Sequence, residues 1–166
     1  MLRFNTLLYL TATLFLAGCF EKSADINSPK SFSSEQLTFQ YPGNWKVEID
    51  SEVGFLIVQS PGDAIVTIQT HPPDDKINVD DLAKSYSADF INAVPIGKTK
   101  VESFVALENQ SGFERMLEKF DISVLGESTE HHRIYAGKDG EELDLFLLFQ
   151  SPSEDFEKTK PGFDLI

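Results

Sequence analysis

The chain has one cysteine, Cys19, among its 166 residues, and this constrains the fold more than any other feature. With one cysteine no intramolecular disulfide can form, so the small disulfide-stapled folds are excluded. Cys19 follows a short apolar segment, residues 7–16, which itself comes after the positively charged Arg3. The folded part of the chain therefore lies after Cys19 and must be stabilised by an apolar core.

The residues around Cys19 resemble a bacterial lipoprotein signal peptide. A basic start, an apolar segment of roughly 7–15 residues and small residues before the cleavage site are the parts of a secretory signal. Here the small pair Ala17-Gly18 directly precedes Cys19. The resemblance implies a signal peptide over residues 1–18, cleavage before Cys19, and lipid attached to that residue. The alternatives are an ordinary signal peptide with a free thiol and a transmembrane anchor, which needs about 20 apolar residues.

The net charge of the chain is −13, and it bears on the kind of partner. Cleavage would remove Arg3 and no acidic residue, so the mature protein would be more acidic still. Such a surface repels phosphate backbones, which excludes nucleic acid as a partner. The excess of acidic residues serves solubility, or it speeds encounter with a basic protein surface.

Residues 19–36 are expected to be the lipidated cysteine followed by a flexible tether. The segment is rich in serine, is interrupted by Pro29 and has no apolar period. A flexible coil of this length would hold a single domain, residues 37–166, on the order of 20–25 Å from the lipid.

Alternating apolar and polar residues predict strands in the first half of this domain. Residues 37–41 and 45–49 alternate on either side of Pro42-Gly43, which predicts a strand pair with one buried face. Residues 54–58 form a continuous apolar run, typical of a strand covered on both faces, and residues 64–70 predict a further strand. The side chain of Trp45 is expected in the core, packed with Phe39, Val47, Ile57 and Phe90.

One helix is predicted after Asn78, which is suited to cap it, with Asp80 and Asp81 in the first turn. Its apolar stripe recurs at three- and four-residue steps, and Pro95 ends it. The members of the stripe are Val79, Leu82, Ala83, Tyr86, Phe90, Ala93 and Val94.

The second half of the domain returns to strands, predicted over residues 99–107, 116–125, 131–136 and 143–150. The Asp139-Gly140 step predicts a hairpin turn. Residues 151–154 resemble a capping box with Pro152 at the first helical position. The apolar end at residues 163–166 predicts a terminal helix docked on the sheet, or an interrupted chain. Strands, helix, strands, helix in this order favour an α+β domain with a largely antiparallel sheet.

The start of the domain, residues 37–47, is similar to the start of PsbP-like domains. The resemblance is carried by Tyr41-Pro42-x-x-Trp45 between two strands, by the order of the elements, and by the closing residues 161–166. It implies an α/β/α sandwich, with helices on both faces of a central antiparallel sheet. Members of the group include a photosystem subunit, a Ran-binding factor and many bacterial lipoproteins, most of which are thought to bind proteins or ions. No binding residue carries over, because no functional position of the family matches a motif here.

Candidate sites for chemistry are few. Glu127, Glu130 and His131 could form a metal site with oxygen and nitrogen ligands, although an exposed polar strand end is the better explanation of these residues. Adjacent strand residues point to opposite faces, so His131 and His132 should not share a metal. The acidic residues 74, 75, 80 and 81 lack the spacing of a calcium-binding loop. Signature motifs of nucleophilic, nucleotide-binding and metal-dependent enzymes are also missing from the sequence.

These observations favour a lipid-anchored envelope module that engages an envelope protein partner without catalysis and without a cofactor. The alternatives are a periplasmic hydrolase that uses carboxylates, and a lipoprotein that binds a small ligand or a metal. The residue after Cys19 is Phe20 and not Asp. By the general behaviour of lipoproteins, this implies that in a Gram-negative cell the protein is exported to the outer membrane, where it faces the periplasm.

Overall fold

The computed structural model describes residues 23–50, 55–73, 78–93 and 97–166. Within these ranges the chain forms nine strands and two helices. They are β1 (Lys30–Ser33), β2 (Thr38–Tyr41), β3 (Lys46–Asp50), β4 (Phe55–Gln59), β5 (Ile65–His71), α1 (Val79–Ala93), β6 (Lys98–Gln110), β7 (Phe113–Val124), β8 (Glu127–Lys138), β9 (Asp144–Pro152) and α2 (Ser153–Leu165).

The described strands β3 to β9 form one sheet in the order β3-β4-β5-β9-β8-β7-β6, and every neighbouring pair is antiparallel. The prediction of an α+β domain with a largely antiparallel sheet is therefore confirmed. The hairpin predicted at Asp139-Gly140 joins β8 to β9. In its loop the backbone N–H of Gly140 donates to the buried Asp144 carboxylate at 3.0 Å.

The central strands β8 and β9 supply two apolar clusters from alternate residues. Ile134, Leu147 and Phe149 pack with Phe156 and Phe163 of α2. The residues between them belong to a second cluster with α1, formed by Tyr135, Phe146, Leu148, Met116, Val79 and Ala83. Because successive strand residues point to opposite faces, both faces of these strands are apolar, which explains the unbroken apolar run of β9.

Helix α1 begins where the sequence predicts. The Asn78 side-chain oxygen accepts from the backbone N–H of Asp81 at 3.1 Å, as expected of a cap. Val79 and Ala83 are buried, and Leu82 and Tyr86 pack beside them. The side chain of Ala93, together with Val94 and Pro95, lies outside the described residues.

The predicted pairing of the first two strands of the domain is wrong. β2 pairs with β1 in a separate two-stranded sheet, and β3 pairs with β4. The Pro42-Gly43 turn exists, since the backbone N–H of Trp45 donates to Pro42 O at 3.0 Å. The N-terminal segment binds this turn, because Gly43 N–H donates to Asp25 O at 2.9 Å. The chain therefore turns a corner there and does not fold back on β2.

The prediction of a flexible tether is wrong from Ser23 onwards. The backbone N–H of Ala24 donates to Lys158 O in α2 at 3.0 Å, and that of Asp25 donates to Asn44 Oδ1 at 2.9 Å. Further along, β1 pairs with β2. Serine, asparagine and aspartate favour turns because their side chains bond nearby backbone groups, and here that tendency fits the segment to the domain. Residues 19–22 lie outside the described residues.

The terminal helix predicted near residue 153 is present, but the capping box is not. Helix α2 begins at Ser153 with Pro152 at its N-cap position, and no side chain caps it. The Ser151 hydroxyl donates instead to Pro152 O and accepts from the buried Thr159 hydroxyl. Phe156 and Phe163 bury the inner side of the helix against the sheet, as expected of a docked terminal helix.

Trp45 lies in the core, with 1% of its surface exposed. Its predicted neighbours Phe39 and Val47 belong to the same cluster. Phe90 does not, because it contacts Phe120 under α1. The predicted contact with Ile57 is also wrong, since Val58, its neighbour on β4, is the residue that joins the Trp45 cluster and Ile57 alternates away from it.

The continuous run at residues 54–58 is covered less than predicted. Gly54 lies outside the described residues, and Val58 is fully buried while residues 55–57 are half-buried. Its strand, β4, is the second strand from the sheet edge, next to the edge strand β3.

The ring of Trp45 fits against a glycine on α2. A Cβ placed on Gly162 would lie 2.7 Å from Trp45 Cζ2 and 2.8 Å from Pro42 Cγ, both too close for a real contact. Glycine at this position allows the corner before β3 to approach the helix directly. The Tyr-Pro-x-x-Trp pattern is thus a packing motif in this chain.

Replacing Trp45 with alanine should lower the free energy of unfolding by about 3–5 kcal/mol, the range for deleting a large aromatic side chain from a packed core. The matched control is Ile49→Ala on β3, because Ile49 is 67% exposed and should change stability by less than about 0.5 kcal/mol. Urea unfolding of both variants measures the difference. Equal midpoints for the two would contradict this description of the core.

Candidate functional site

A buried ion pair lies between α1 and the sheet. The strand register pairs Glu118 with Arg133 and Arg133 with Gln150, so the three side chains stand in one row on the same face. Arg133 Nη1 donates to Glu118 Oε2 at 3.0 Å, and its Nε and Nη2 donate to Gln150 Oε1 at 3.0 and 2.6 Å. Arg133 is 0% exposed and Glu118 is 1% exposed.

Two hydroxyl groups also donate to the Glu118 carboxylate. Ser87 of α1 donates to Oε1 at 2.5 Å, and Tyr135 of β8 donates to Oε2 at 2.7 Å. Burial raises the pKa of the Tyr135 phenol, which keeps it in the protonated form that can donate. The bond from Ser87 ties α1 to the middle of the sheet.

Aromatic rings enclose the Arg133 guanidinium. Its central carbon lies 4.5 Å from the Phe90 ring centre and 4.4 Å from that of Phe120, with Tyr86 at 5.3 Å. A cation over aromatic faces is stabilised when it is removed from water. The cluster is therefore closed and internally satisfied, and a substrate has no path to the Glu118 carboxylate in this arrangement. Its role is to position α1.

Replacing Arg133 with methionine should cost about 3–5 kcal/mol of stability, because it leaves the buried Glu118 carboxylate without its cation. The double variant Arg133→Met, Glu118→Leu should recover much of this loss, since both charges are then gone. Thermal and urea unfolding of the single and double variants provide the test. A double variant less stable than Arg133→Met alone would show that the ion pair is not the dominant contact.

The two adjacent histidines of β8 point to opposite faces, as predicted. The His131 ring stacks on Phe120, at 5.4 Å between ring centres, on the side of α1. The His132 ring meets Phe156 of α2 edge-on at 4.4 Å. They cannot share a ligand.

The candidate metal ligands are separated in the same way. Glu130 lies beside His132, with its Oε1 3.3 Å from His132 Nε2, and it accepts from the Ser153 hydroxyl at 2.9 Å. Glu127 and His131 line a different cleft, described below. Within residues 23–50, 55–73, 78–93 and 97–166, no three His, Cys, Asp or Glu side chains are grouped to hold a metal ion.

The other residues singled out in the sequence have ordinary roles or lie outside the described ranges. Cys19, Asp74 and Asp75 are outside them. Asp80 in the first turn of α1 bonds Lys84 Nζ at 2.6 Å. His71 is exposed at the end of β5.

Burial lowers the pKa of His131 and of His132, and the Arg133 and Lys119 charges, respectively, lower it further. Because these pKa values are lower in the folded state, the two histidines of the unfolded chain take up protons at a higher pH than those of the folded chain. The free energy of unfolding therefore decreases as the pH falls below about 6.5. The double variant His131→Gln, His132→Gln should lose less melting temperature than the wild type between about pH 7.5 and pH 5. His71→Gln is the control, and equal slopes for all three proteins would contradict the effect.

A small cleft opens at the end of α2, and we call it the C-terminal cleft. Phe113 and Arg115 of β7 line it with Phe163, Leu165 and Ile166, around a volume of about 160 Å³. Pockets for whole ligands usually measure about 300–1,000 Å³, so this cleft fits a side chain better than a metabolite.

Arg115 forms the polar rim of the C-terminal cleft. Its Nη1 bonds Gln110 Oε1 at 2.5 Å, its Nε bonds Glu108 O at 3.1 Å, and its Nη1 lies 3.5 Å from Asp164 Oδ1. Lys138 Nζ lies 5.5 Å from the Phe113 ring centre. The rim thus carries the Arg115 guanidinium and the Asp164 carboxylate beside an apolar floor.

A second cleft, the hairpin cleft, lies at the opposite end of β7 and β8 and measures about 430 Å³. It holds two of the three candidate ligands together with apolar residues of the turn. Its lining consists of Ile122, Val124, Leu125, Glu127, Thr129 and His131. No sequence pattern marks either cleft, because each depends on which strand ends meet.

No protein-family model and no curated protein matches the sequence. Similarity appears among solved structures. The solution structure of cyanobacterial PsbP (CyanoP) from Synechocystis aligns with a TM-score of 0.59 at 14% identity, and the match covers 89% of this chain and 91% of that chain. The chain has a PsbP-like fold. At this identity the likeness shows the fold alone.

Two further solved structures align less closely. One is PA94, a protein of unknown function from Pseudomonas aeruginosa, with a TM-score of 0.42 at 12% identity over 81% of this chain and 90% of that one. The other is LpqN, involved in cell envelope biogenesis of Mycobacterium tuberculosis, with a TM-score of 0.43 at 13% identity over 84% and 80% of the two chains. In the part of the chain that the structure describes, no helix has the length and apolar character needed to span a bilayer.

Proposed function

We propose that this chain is a lipid-anchored module of the cell envelope that binds a protein partner and catalyses no reaction. The observation that carries the proposal is the docking of the N-terminal segment, where Ala24 bonds Lys158 and Asp25 bonds Asn44 and Gly43. A lipid on Cys19 would then be attached to a chain that joins the folded domain four residues later, at Ser23.

The short link sets how far the domain can stand from the bilayer. Four residues span at most about 14 Å when fully extended. A flexible tether through residue 36 would allow on the order of 20–25 Å. The lipid on Cys19 therefore holds the domain against the membrane surface, and its sorting to the outer membrane of a Gram-negative cell would place it in the periplasm.

The alternating clusters of β8 and β9 support the finer architecture of the PsbP-like group. Tyr135 packs toward α1 while its neighbour Ile134 packs toward α2. In the proposed α/β/α sandwich the two helices cover opposite faces of the sheet. The sheet ends and the loops are then the surfaces left for a partner.

The C-terminal cleft is the proposed contact for the protein partner. This cleft lies at the end of the sheet where β6 turns into β7. Ser23 lines a different cleft, together with Asn44, which precedes β3, and Ser60, which follows β4. The strand register puts these two regions at opposite ends of the sheet. An apolar anchor residue from a partner would fill the cleft, and interface energies are concentrated in such anchors.

The closed ion pair supports the absence of catalysis. Glu118 is a carboxylate held under a helix, and a hydrolase needs such a group within reach of substrate and water. Here both of its oxygens are occupied by Arg133, Tyr135 and Ser87. A protein that acts by binding has no need of an open carboxylate.

Changing Cys19 to serine should abolish lipid attachment, because it removes the thioether acceptor. Intact mass and membrane fractionation of wild type and Cys19→Ser measure this. The wild type should carry the lipid mass and sediment with membranes, and the variant should do neither. A variant that matures with unchanged mass and stays membrane-bound would overturn the anchoring.

Partner binding is tested by a photo-crosslinking amino acid placed at Leu165 in the C-terminal cleft. The matched control places it at Glu157, an exposed position on the same helix. A defined envelope protein should be captured in cells from position 165 and not from 157. Equal capture from both positions would reject the cleft, and turnover of peptidoglycan, ester or phosphate substrates by the purified protein would reject the absence of catalysis.

A further inference from the structure

The sheet contains two hairpins with the same tight turn and different residues in it. Ser111-Gly112 joins β6 to β7, and Leu125-Gly126 joins β7 to β8. The first residue of each loop has a positive φ, 53° at Ser111 and 52° at Leu125. Gly112 and Gly126, the second residues, also have positive φ. Positive φ at both positions is typical of the type I′ turn, which favours asparagine, aspartate or glycine first.

Leucine is a poor residue for this position. Bulky side chains seldom adopt a positive φ, and the fold gains nothing in return because Leu125 is 94% exposed. Val124 beside it is 40% exposed, and Ile91 near the end of α1 is 39% exposed. An exposed apolar side chain held in a strained conformation suggests a role outside the fold.

The size of this apolar tip indicates what it contacts. A stable protein interface buries about 800 Å² on each partner, far more than the side chains of one tight turn provide. A few apolar side chains are enough for shallow contact with the acyl boundary of a bilayer, where weak attachments act as a second signal beside a lipid anchor.

The position of the tip also favours a bilayer. By the strand register, the end of β7 and the start of β8 lie at the same end of the sheet as the start of β3 and the end of β4. That is the end where Ser23 lies, four residues after Cys19. A membrane held there by the lipid would be within reach of the hairpin.

We propose that Leu125 and Val124 at the β7–β8 hairpin form a second membrane contact that inserts at the headgroup boundary of a phospholipid bilayer. The proposal rests on the membrane anchoring in the proposed function. A single flexible attachment leaves a domain free to tumble, whereas two separated contacts fix its orientation. The C-terminal cleft, at the other end of the sheet, then faces away from the membrane.

The test uses the chain from Cys19 onwards, made without lipid and coupled through the Cys19 thiol to a maleimide-headgroup lipid in phosphatidylcholine vesicles with brominated acyl chains. Tryptophan replaces Leu125 in one variant and Ser111 in the matched control. Bromine quenches tryptophan only within the bilayer, and the native Trp45, which is 1% exposed, supplies a constant background.

Emission from Leu125→Trp should fall on brominated vesicles relative to unbrominated ones, while that from Ser111→Trp should not change. Lack of quenching at position 125, or equal quenching at both positions, would overturn the proposal. Chemical coupling makes this result independent of lipidation in cells, so failure here is distinguishable from failure of the Cys19 mass experiment.

A stability measurement tests the premise without a membrane. Asparagine adopts a positive φ more readily than leucine, so Leu125→Asn should raise the melting temperature of the protein. A lower melting temperature would show that Leu125 supports the fold, and it would contradict the argument for a role at the surface.

Discussion

β8 lies between β7 and β9, and its register with both places Glu118, Arg133 and Gln150 in one row under α1. The hydroxyl of Ser87 completes this row from the helix. Buried charges of this kind require their partners, because an unpaired one costs several kcal/mol. A shift of one residue would turn Arg133 to the opposite face of β8, into the apolar cluster of Ile134. The ion pair therefore selects one register, and that register determines which loops meet at each end of the sheet.

Much of the fold could be predicted from local patterns. The Asn78 cap and the apolar stripe of α1 involve residues of a single helix, and the alternation of β7 involves residues of a single strand. Such patterns can be predicted directly from the sequence. Residues 37–49 were harder, because alternation on two sides of a turn does not say which strands pair. β2 pairs with β1 because the N-terminal segment binds the Pro42-Gly43 corner. This contact joins residues that are distant in sequence.

The candidate site was less predictable for the same reason. Arg133 and Glu118 are charged residues inside otherwise apolar strands, a signal that could have suggested a buried pair once the register was known. Arg115 and Phe163 have no such signal, since the C-terminal cleft exists only where the end of α2 meets β7. Polar composition was misleading at residues 23–36, because the side chains that keep a linker solvated also form tight turns. Here Asp25 and Ser34 accept hydrogen bonds from backbone N–H groups two and three residues further on.

The docked N-terminal segment changes how the protein is expected to act. A long tether would allow a wide search for a partner, whereas in the proposed lipid-anchored module a short link would hold the domain at the surface and present its other end. Neutron reflectometry of the lipidated protein on a supported bilayer tests this most directly, by measuring where protein density begins above the headgroups. Protein density should start at the headgroup layer with no solvent gap. A solvent-filled gap of about 20–25 Å, the span of a flexible tether, would contradict it.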